Sequence, residues 1–130
     1  MASNLKLARR DYNDLVSALY AYRYKRFDEW AHDLRFHIDR MMEHAELLKE
    51  DTIRELFQLR ESLDESGFPA AIRREMDKLY MSDKALPSRK FDSYFKSLRE
   101  MVDTVEEDLK ETFSFESWRD AQKNHLNSRT

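Results

Sequence analysis

The chain is poor in the residues that make tight turns and covalent cross-links. Its 130 residues include no cysteine, one glycine and two prolines. A single glycine cannot supply the turns of a sandwich or barrel, a phosphate-binding loop or a dinucleotide fingerprint. The lack of cysteine excludes disulfides, thiol nucleophiles and thiolate metal sites. We therefore exclude all-β, P-loop and Rossmann folds and expect a single domain, because the chain is short.

Long hydrophobic runs are also missing. Apolar stretches extend over only a few residues, so we expect no transmembrane span, no signal peptide, no membrane partner and a cytoplasmic location. Charged residues make up 38% of the chain and sum to a net charge of -3. Their distribution is uneven, because residues 1–26, 27–66, 67–90 and 91–130 carry net charges of +4, -7, +3 and -3. The surface is therefore expected to be a mosaic of charged patches.

Apolar residues recur at steps of three and four along the first half of the chain, which predicts helices. One stripe runs from Leu5 to Tyr22, and a second stripe, one residue out of step with the first, runs from Phe27 to Leu48. This change of register predicts a bend or break near residues 24–27. Thr52 and Glu55 have the spacing of a capping box and predict the start of a third helix.

The second half of the chain contains the turn-forming residues. We expect Gly67 to end the third helix in the left-handed conformation and Pro69 to begin a short fourth helix. Ser88 is expected to cap a long helix, and a last short helix is expected from about Ser114. The predicted fold is an all-α, antiparallel helical bundle of three long and two or three short helices. The domain is expected over residues 1–123, followed by a polar C-terminal tail over residues 124–130.

Residues 20–26 alternate tyrosine with arginine and lysine. Basic side chains contact phosphates and tyrosine rings stack on bases, so this combination is typical of proteins that bind single-stranded nucleic acid. Three tyrosines so close together on one helix cannot all face a core, and at least one is expected to be exposed. Together with basic residues elsewhere, the candidate nucleic-acid-binding residues are Arg9, Arg10, Tyr22, Arg23, Tyr24, Lys25, Arg26, Arg89 and Lys90. The competing interpretation is that these cations pair with the acidic segment 27–66.

Two histidines, His37 and His44, lie on the apolar stripe of the second helix. Seven residues separate them, which corresponds to about 10 Å along a helix. One metal ion cannot bridge this distance, so a metal site at either histidine would need carboxylates from a facing helix. We interpret these histidines as structural side chains that bond to Asp33, Arg40 or another neighbour, and we expect no metal and no cofactor.

Two acidic pairs at a spacing of three residues suggest an enzyme as an alternative. Glu43 and Glu46, followed by Glu61 and Asp64, resemble the paired acidic motif with which all-α nucleotide pyrophosphohydrolases hold magnesium. The resemblance implies a metal-dependent nucleotide phosphohydrolase. Glu43 and Glu46 are expected to face water on their helix, away from its apolar stripe, which disfavours a magnesium pocket.

From these patterns we predict a non-catalytic interaction subunit of a larger assembly. The assembly is expected to be a nucleoprotein complex, in which the basic and aromatic face lies along the backbone of a single-stranded nucleic acid or RNA, and other faces contact protein partners. The alternative in the same class is an acidic-faced inhibitor, immunity protein or antitoxin that binds a basic protein. The sequence leaves the oligomeric state open.

Overall fold

The computed structural model describes the backbone of residues 2–128 and the side chains of residues 4–113 and of Arg119. In this part of the chain there are five α-helices, two short 3-10 turns and no strand, which confirms the all-α prediction. The α-helices are α1 (Ala2–Tyr20), α2 (Phe27–Met42), α3 (Glu50–Glu61), α4 (Ala70–Met81) and α5 (Arg89–Ser128). Between residues 2 and 128, none of them has both the length and the apolar character needed to cross a bilayer.

The junction between α1 and α2 lies where the two apolar stripes lose their common register. A first 3-10 turn, Ala21–Tyr24, follows α1, and Lys25 then adopts an extended conformation with φ of -144° and ψ of 147°. Arg26 is extended as well and precedes the first residue of α2. The predicted break is therefore confirmed. It allows both stripes to face the same core.

Helix α3 is capped from a distant part of the chain. It begins at Glu50, and Thr52 lies buried inside its first turn, so the predicted capping box is wrong. The acceptor at the N-terminus is instead the Oδ2 atom of Asp108 in α5, which lies 2.9 Å from the backbone nitrogen of Lys49. The carboxylate satisfies one of the free amides that every helix has at its start.

Gly67, in the turn after α3, was predicted to adopt the left-handed conformation, and this prediction is wrong. Helix α3 ends at Glu61, and Gly67 does not have a positive φ. The Gly67 amide donates a hydrogen bond to Oδ1 of Asp64 at 2.6 Å. A Cβ atom at Gly67 would lie 3.1 Å from this oxygen and 3.2 Å from the Cα atom of Ser62. Close approach of neighbouring atoms, not a left-handed backbone, therefore disfavours a side chain at this position.

Helix α5 begins as expected and continues further than expected. The Ser88 hydroxyl accepts a hydrogen bond from the Phe91 amide at 3.2 Å, which confirms its role as the cap. Ser88 also donates its amide and hydroxyl hydrogens to the Glu75 carboxylate, each at 2.7 Å, and thereby ties α5 to α4. The backbone stays helical to Ser128, so the predicted new helix at about Ser114 is wrong. The aromatic side chains that follow Ser114 lie outside the described residues.

All five helices contribute to a single cluster of buried apolar side chains. Helix α1 contacts α2 and α5, α3 contacts the same two helices, and α4 packs against the first 3-10 turn and α5. Trp30 is fully buried, and its indole N–H donates to the Leu19 carbonyl at 3.0 Å. Each large apolar side chain buried in this way stabilises the fold by about 1.5–3 kcal/mol. The core fixes the end of α1 and, with it, the position of the turn that follows.

Candidate nucleic-acid interface

The tyrosines of the first 3-10 turn point in different directions. The ring of Tyr22 packs against Phe91 and Phe95, with centroid distances of 5.1 and 4.9 Å, and its burial raises the pKa of its hydroxyl. Tyr24, two residues later, is 81% exposed. The expectation that at least one of the three tyrosines is exposed is confirmed. Tyr22 anchors the turn, and Tyr24 projects from it.

Two cations of the same segment make contacts within the protein. The Arg23 guanidinium donates a hydrogen bond to the Ala85 carbonyl at 2.7 Å. Lys25 forms an ion pair with Asp33 of α2. The pair between Lys25 and Asp33 is the kind of contact that the competing interpretation predicts. These two side chains therefore hold the segment in place, in addition to contributing charge.

A second basic segment lies beside the first. The Arg26 guanidinium lies over the ring of Tyr80, 5.9 Å from its centroid, and Tyr80 is the penultimate residue of α4. This contact and the one between Arg23 and Ala85 place residues 78–90 next to residues 20–26. We call these two segments together the basic end. They contain seven basic residues and one acidic residue, Asp83.

The three most exposed large apolar side chains of the described residues all lie in the basic end. Leu86 is 85% exposed, Tyr24 81% and Met81 75%, whereas the other exposed large apolar side chains range from 38% to 53%. Met81 and Leu86 were not among the predicted site residues. Their signal in the sequence is weak, because an apolar residue next to a helix end or a proline gives no periodic pattern.

Arg89 and Lys90 complete the basic end. They are the first two residues of α5, and both are exposed. Two carboxylates near this end are engaged, since Glu75 accepts two hydrogen bonds from Ser88 and Asp33 pairs with Lys25. The guanidinium and ammonium groups of Arg26, Lys84, Arg89 and Lys90 are exposed at this end, together with the carboxylates of Asp83 and Asp92.

The structure does not bring Arg9 and Arg10 to this surface. Arg10 lies ten residues before the end of α1, about 15 Å along the helix axis. The Arg9 guanidinium lies over the ring of Phe113, 5.5 Å from its centroid, in the second half of α5. These two predicted residues therefore occupy a different part of the molecule from the other seven.

His37 and His44 lie in two different environments. His44 follows the end of α2, and its Nε2 atom lies 2.7 Å from Oδ2 of Asp11 in α1. The His37 ring contacts the ring of Phe36 at 5.2 Å. The bonding partner of His44 is thus a carboxylate of a facing helix and not Asp33 or Arg40. Among the residues whose side chains are described, no group of three or more His, Asp or Glu residues is arranged to hold a metal ion.

The four carboxylates of the enzyme alternative lie on separate elements. Helix α2 ends at Met42, so Glu43 and Glu46 do not share a helix, and a second 3-10 turn covers Ala45–Leu47. Helix α3 separates Glu46 from Glu61 and spans about 16 Å. The Asp64 carboxylate accepts hydrogen bonds from the Gly67 amide and the Ser66 hydroxyl, which lower its pKa. No shared pocket for magnesium results.

Comparison of the chain with protein-family models, with curated proteins and with solved structures finds no match. The basic end is therefore interpreted from its own geometry and charge.

Proposed function

We propose that the protein is a non-catalytic subunit of a nucleoprotein assembly and that its basic end binds the backbone of a nucleic acid. The observation that supports this proposal is the meeting of residues 20–26 and 78–90 at one end of the bundle through the contacts of Arg23 and Arg26. Neither segment alone has more than four basic residues, but together they have seven. A local surplus of this size attracts phosphates although the whole chain is acidic.

The charges of the basic end suit phosphate contacts. Arg26, Lys84, Arg89 and Lys90 are exposed and able to reach a ligand. Each phosphate that such a side chain neutralises releases a counterion, so the affinity is expected to fall steeply with salt. The acidic segment 27–66 meets this surface at Asp33, which pairs with Lys25, and the segment is proposed to face protein partners of the assembly.

Fluorescence anisotropy of a labelled oligonucleotide at low and at physiological salt tests the proposal. We expect binding by the wild type that weakens steeply with salt. The double variant Arg89→Glu, Lys90→Glu should lose at least about tenfold in affinity, because it replaces two phosphate contacts by repulsion. The matched control is Lys6→Glu, Arg10→Glu, which makes the same change of net charge on the exposed face of α1 and should bind nearly as well as the wild type.

Two results would contradict the proposal. Absence of binding at low salt would leave the cations of the basic end as internal partners only. Equal losses in both double variants would show that net charge, not this surface, determines the affinity. Circular dichroism of each variant checks that helicity is unchanged.

One observation favours a second candidate function, that of an acidic-faced inhibitor, immunity protein or antitoxin. Phe36 of α2 and Phe57 of α3 are each about half exposed within the segment of net charge -7. An apolar ring among carboxylates fits a basic protein partner. If the protein copurifies with a basic protein and suppresses its activity, and if Phe57→Ala removes this suppression, the second candidate replaces the first.

A further inference from the structure

We propose that the basic end selects an unpaired strand over a duplex and that a base of this strand stacks on the ring of Tyr24. This inference rests on the proposed function and adds the kind of nucleic acid and the side chain that recognises it. The observation that supports it is the presence of exposed apolar side chains in the basic end, because a surface that contacts only phosphates does not need them.

Exposed apolar surface is concentrated where the cations are. Tyr24, Met81 and Leu86 belong to three different elements, the first 3-10 turn, the last turn of α4 and the loop before α5, and each has basic residues close by in sequence. A duplex presents phosphates and groove edges at its surface, and its base faces are stacked inside. An unpaired strand presents one phosphate and one flat apolar face with every nucleotide. The unpaired strand therefore matches both features of this surface.

The ring of Tyr24 is presented by a backbone that is fixed on both sides. Before it, Tyr22 packs on Phe91 and Phe95, and Arg23 holds the Ala85 carbonyl. After it, Lys25 pairs with Asp33, and Arg26 lies over Tyr80. Every neighbour of Tyr24 is thus engaged within the protein, while its own ring is exposed. Because the backbone on both sides of Tyr24 is already fixed, stacking of a base has to restrict only the rotation of the Tyr24 side chain.

An acidic peptide is the other ligand that combines negative charge with apolar groups. A peptide helix binds through an apolar groove that receives side chains at regular steps on one face. Tyr24, Met81 and Leu86 are separated by basic side chains and by changes of element, which fits single bases better than a continuous helix face. We therefore favour the nucleotide and treat the peptide as an outcome of the test.

The experiment uses a single strand that contains 2-aminopurine and the duplex formed with its complement. We expect the wild type to bind the single strand about tenfold more tightly than the duplex, as one base stacked on an aromatic ring implies. Tyr24→Ala should remove this preference by weakening single-strand binding while leaving duplex binding unchanged. Tyr24→Phe keeps the ring and should behave as the wild type. Quenching of 2-aminopurine should accompany binding to the wild type and to Tyr24→Phe but not to Tyr24→Ala.

The outcomes separate this inference from the proposed function. If both nucleic acids bind equally and Tyr24→Ala changes neither affinity, the stacking inference is wrong and the backbone contacts stand. If neither nucleic acid binds at low salt, the proposed function fails as well. If neither binds but a peptide of alternating Glu and Leu does, and Tyr24→Ala abolishes that binding, the basic end is a protein-docking surface. Tyr24 is exposed, so its substitution leaves the fold intact, which circular dichroism verifies.

Discussion

Nε2 of His44 lies 2.7 Å from Oδ2 of Asp11, and this contact joins the middle of α1 to the segment that follows α2. Both side chains are largely buried, with 7% of Asp11 and 13% of His44 exposed. The other oxygen of Asp11 lies 3.5 Å from Nε of Arg40. One buried carboxylate thus contacts two side chains on the facing part of the chain, and its removal leaves the largely buried His44 without this bonding partner.

Replacement of Asp11 is therefore expected to destabilise the fold. We expect Asp11→Ala to lower the free energy of unfolding by about 1–3 kcal/mol, because it removes a buried hydrogen-bond acceptor for charged or polar donors. Asp14→Ala, an exposed carboxylate on the same helix, is the control and should change it by less than about 0.5 kcal/mol. Urea unfolding followed by circular dichroism measures both, and equal effects of the two substitutions would refute the role given to Asp11.

The cap of α3 by Asp108 gives a second prediction. Asp108→Ala removes the acceptor for the Lys49 amide and should cost about 1 kcal/mol, as the loss of an N-cap does. Asp108→Asn keeps an oxygen at the same place and should cost less. Glu107→Ala, at an exposed neighbouring position, is the control in the same unfolding experiment. A variant Asp108→Ala as stable as the control would show that the bond contributes nothing.

The Tyr12 hydroxyl gives a prediction at alkaline pH. It lies 2.8 Å from Oε2 of Glu106, and burial followed by this hydrogen bond raises the pKa of Tyr12 well above its ordinary value of 10.0. The folded state therefore disfavours the tyrosinate. The stability that this provides is fully present below pH 10 and is lost as the pH rises above that value.

Between about pH 9 and pH 11, we expect the free energy of unfolding to fall less for Tyr12→Phe than for the wild type. This range begins just below the pKa of a tyrosine in the unfolded chain. In a titration followed by absorbance at about 295 nm, the wild type should form one more tyrosinate than Tyr12→Phe, at the high-pH end where Tyr12 ionises. Identical alkaline stability curves for the two proteins would contradict the buried position of this hydroxyl.

Glu106 gives the opposite prediction in acid. Hydrogen bonds from Lys110 and from Tyr12 lower the pKa of Glu106 from its ordinary value of 4.5. The stability that this provides is present above pH 4.5 and is lost as the pH falls through the lower pKa of the folded state. Glu106→Gln should therefore be less stable than the wild type at neutral pH, and the difference should shrink below pH 4.5. A difference that does not depend on pH would show that packing, not charge, is the cause.

Local patterns predicted the helices, and long-range contacts decided their ends. The apolar stripes indicated the break before Phe27, and Ser88 was recognised as a cap because its partner, Phe91, is three residues away. The cap of α3 could not be predicted in this way, because Asp108 lies 59 residues from Lys49. The residues at 52 and 55 match the local pattern of a capping box, but Thr52 is buried and lies inside the helix, which begins at Glu50.

The sequence also predicted only part of the candidate site. The alternation of tyrosine and basic residues at 20–26 was visible in the sequence, as was the exposure of one tyrosine. Which tyrosine is exposed depends on Phe91 and Phe95, which cover Tyr22 from α5. The contribution of Met81 and Leu86 depends on the contacts that bring residues 78–90 beside the first 3-10 turn. Periodicity along one segment contains no information about such contacts.

The engagement of every neighbour of Tyr24 has a consequence for the length of this connection. An inserted or deleted residue between Tyr20 and Phe27 would displace at least one of Tyr22, Arg23, Lys25 and Arg26 from its partner. Substitution of Tyr24, in contrast, disturbs none of these contacts. Surface connections usually tolerate changes of length more readily than the helices they join. This one should accept changes of side chain at Tyr24 and reject changes of length, so that its sequence is free to vary at one position while its number of residues is fixed.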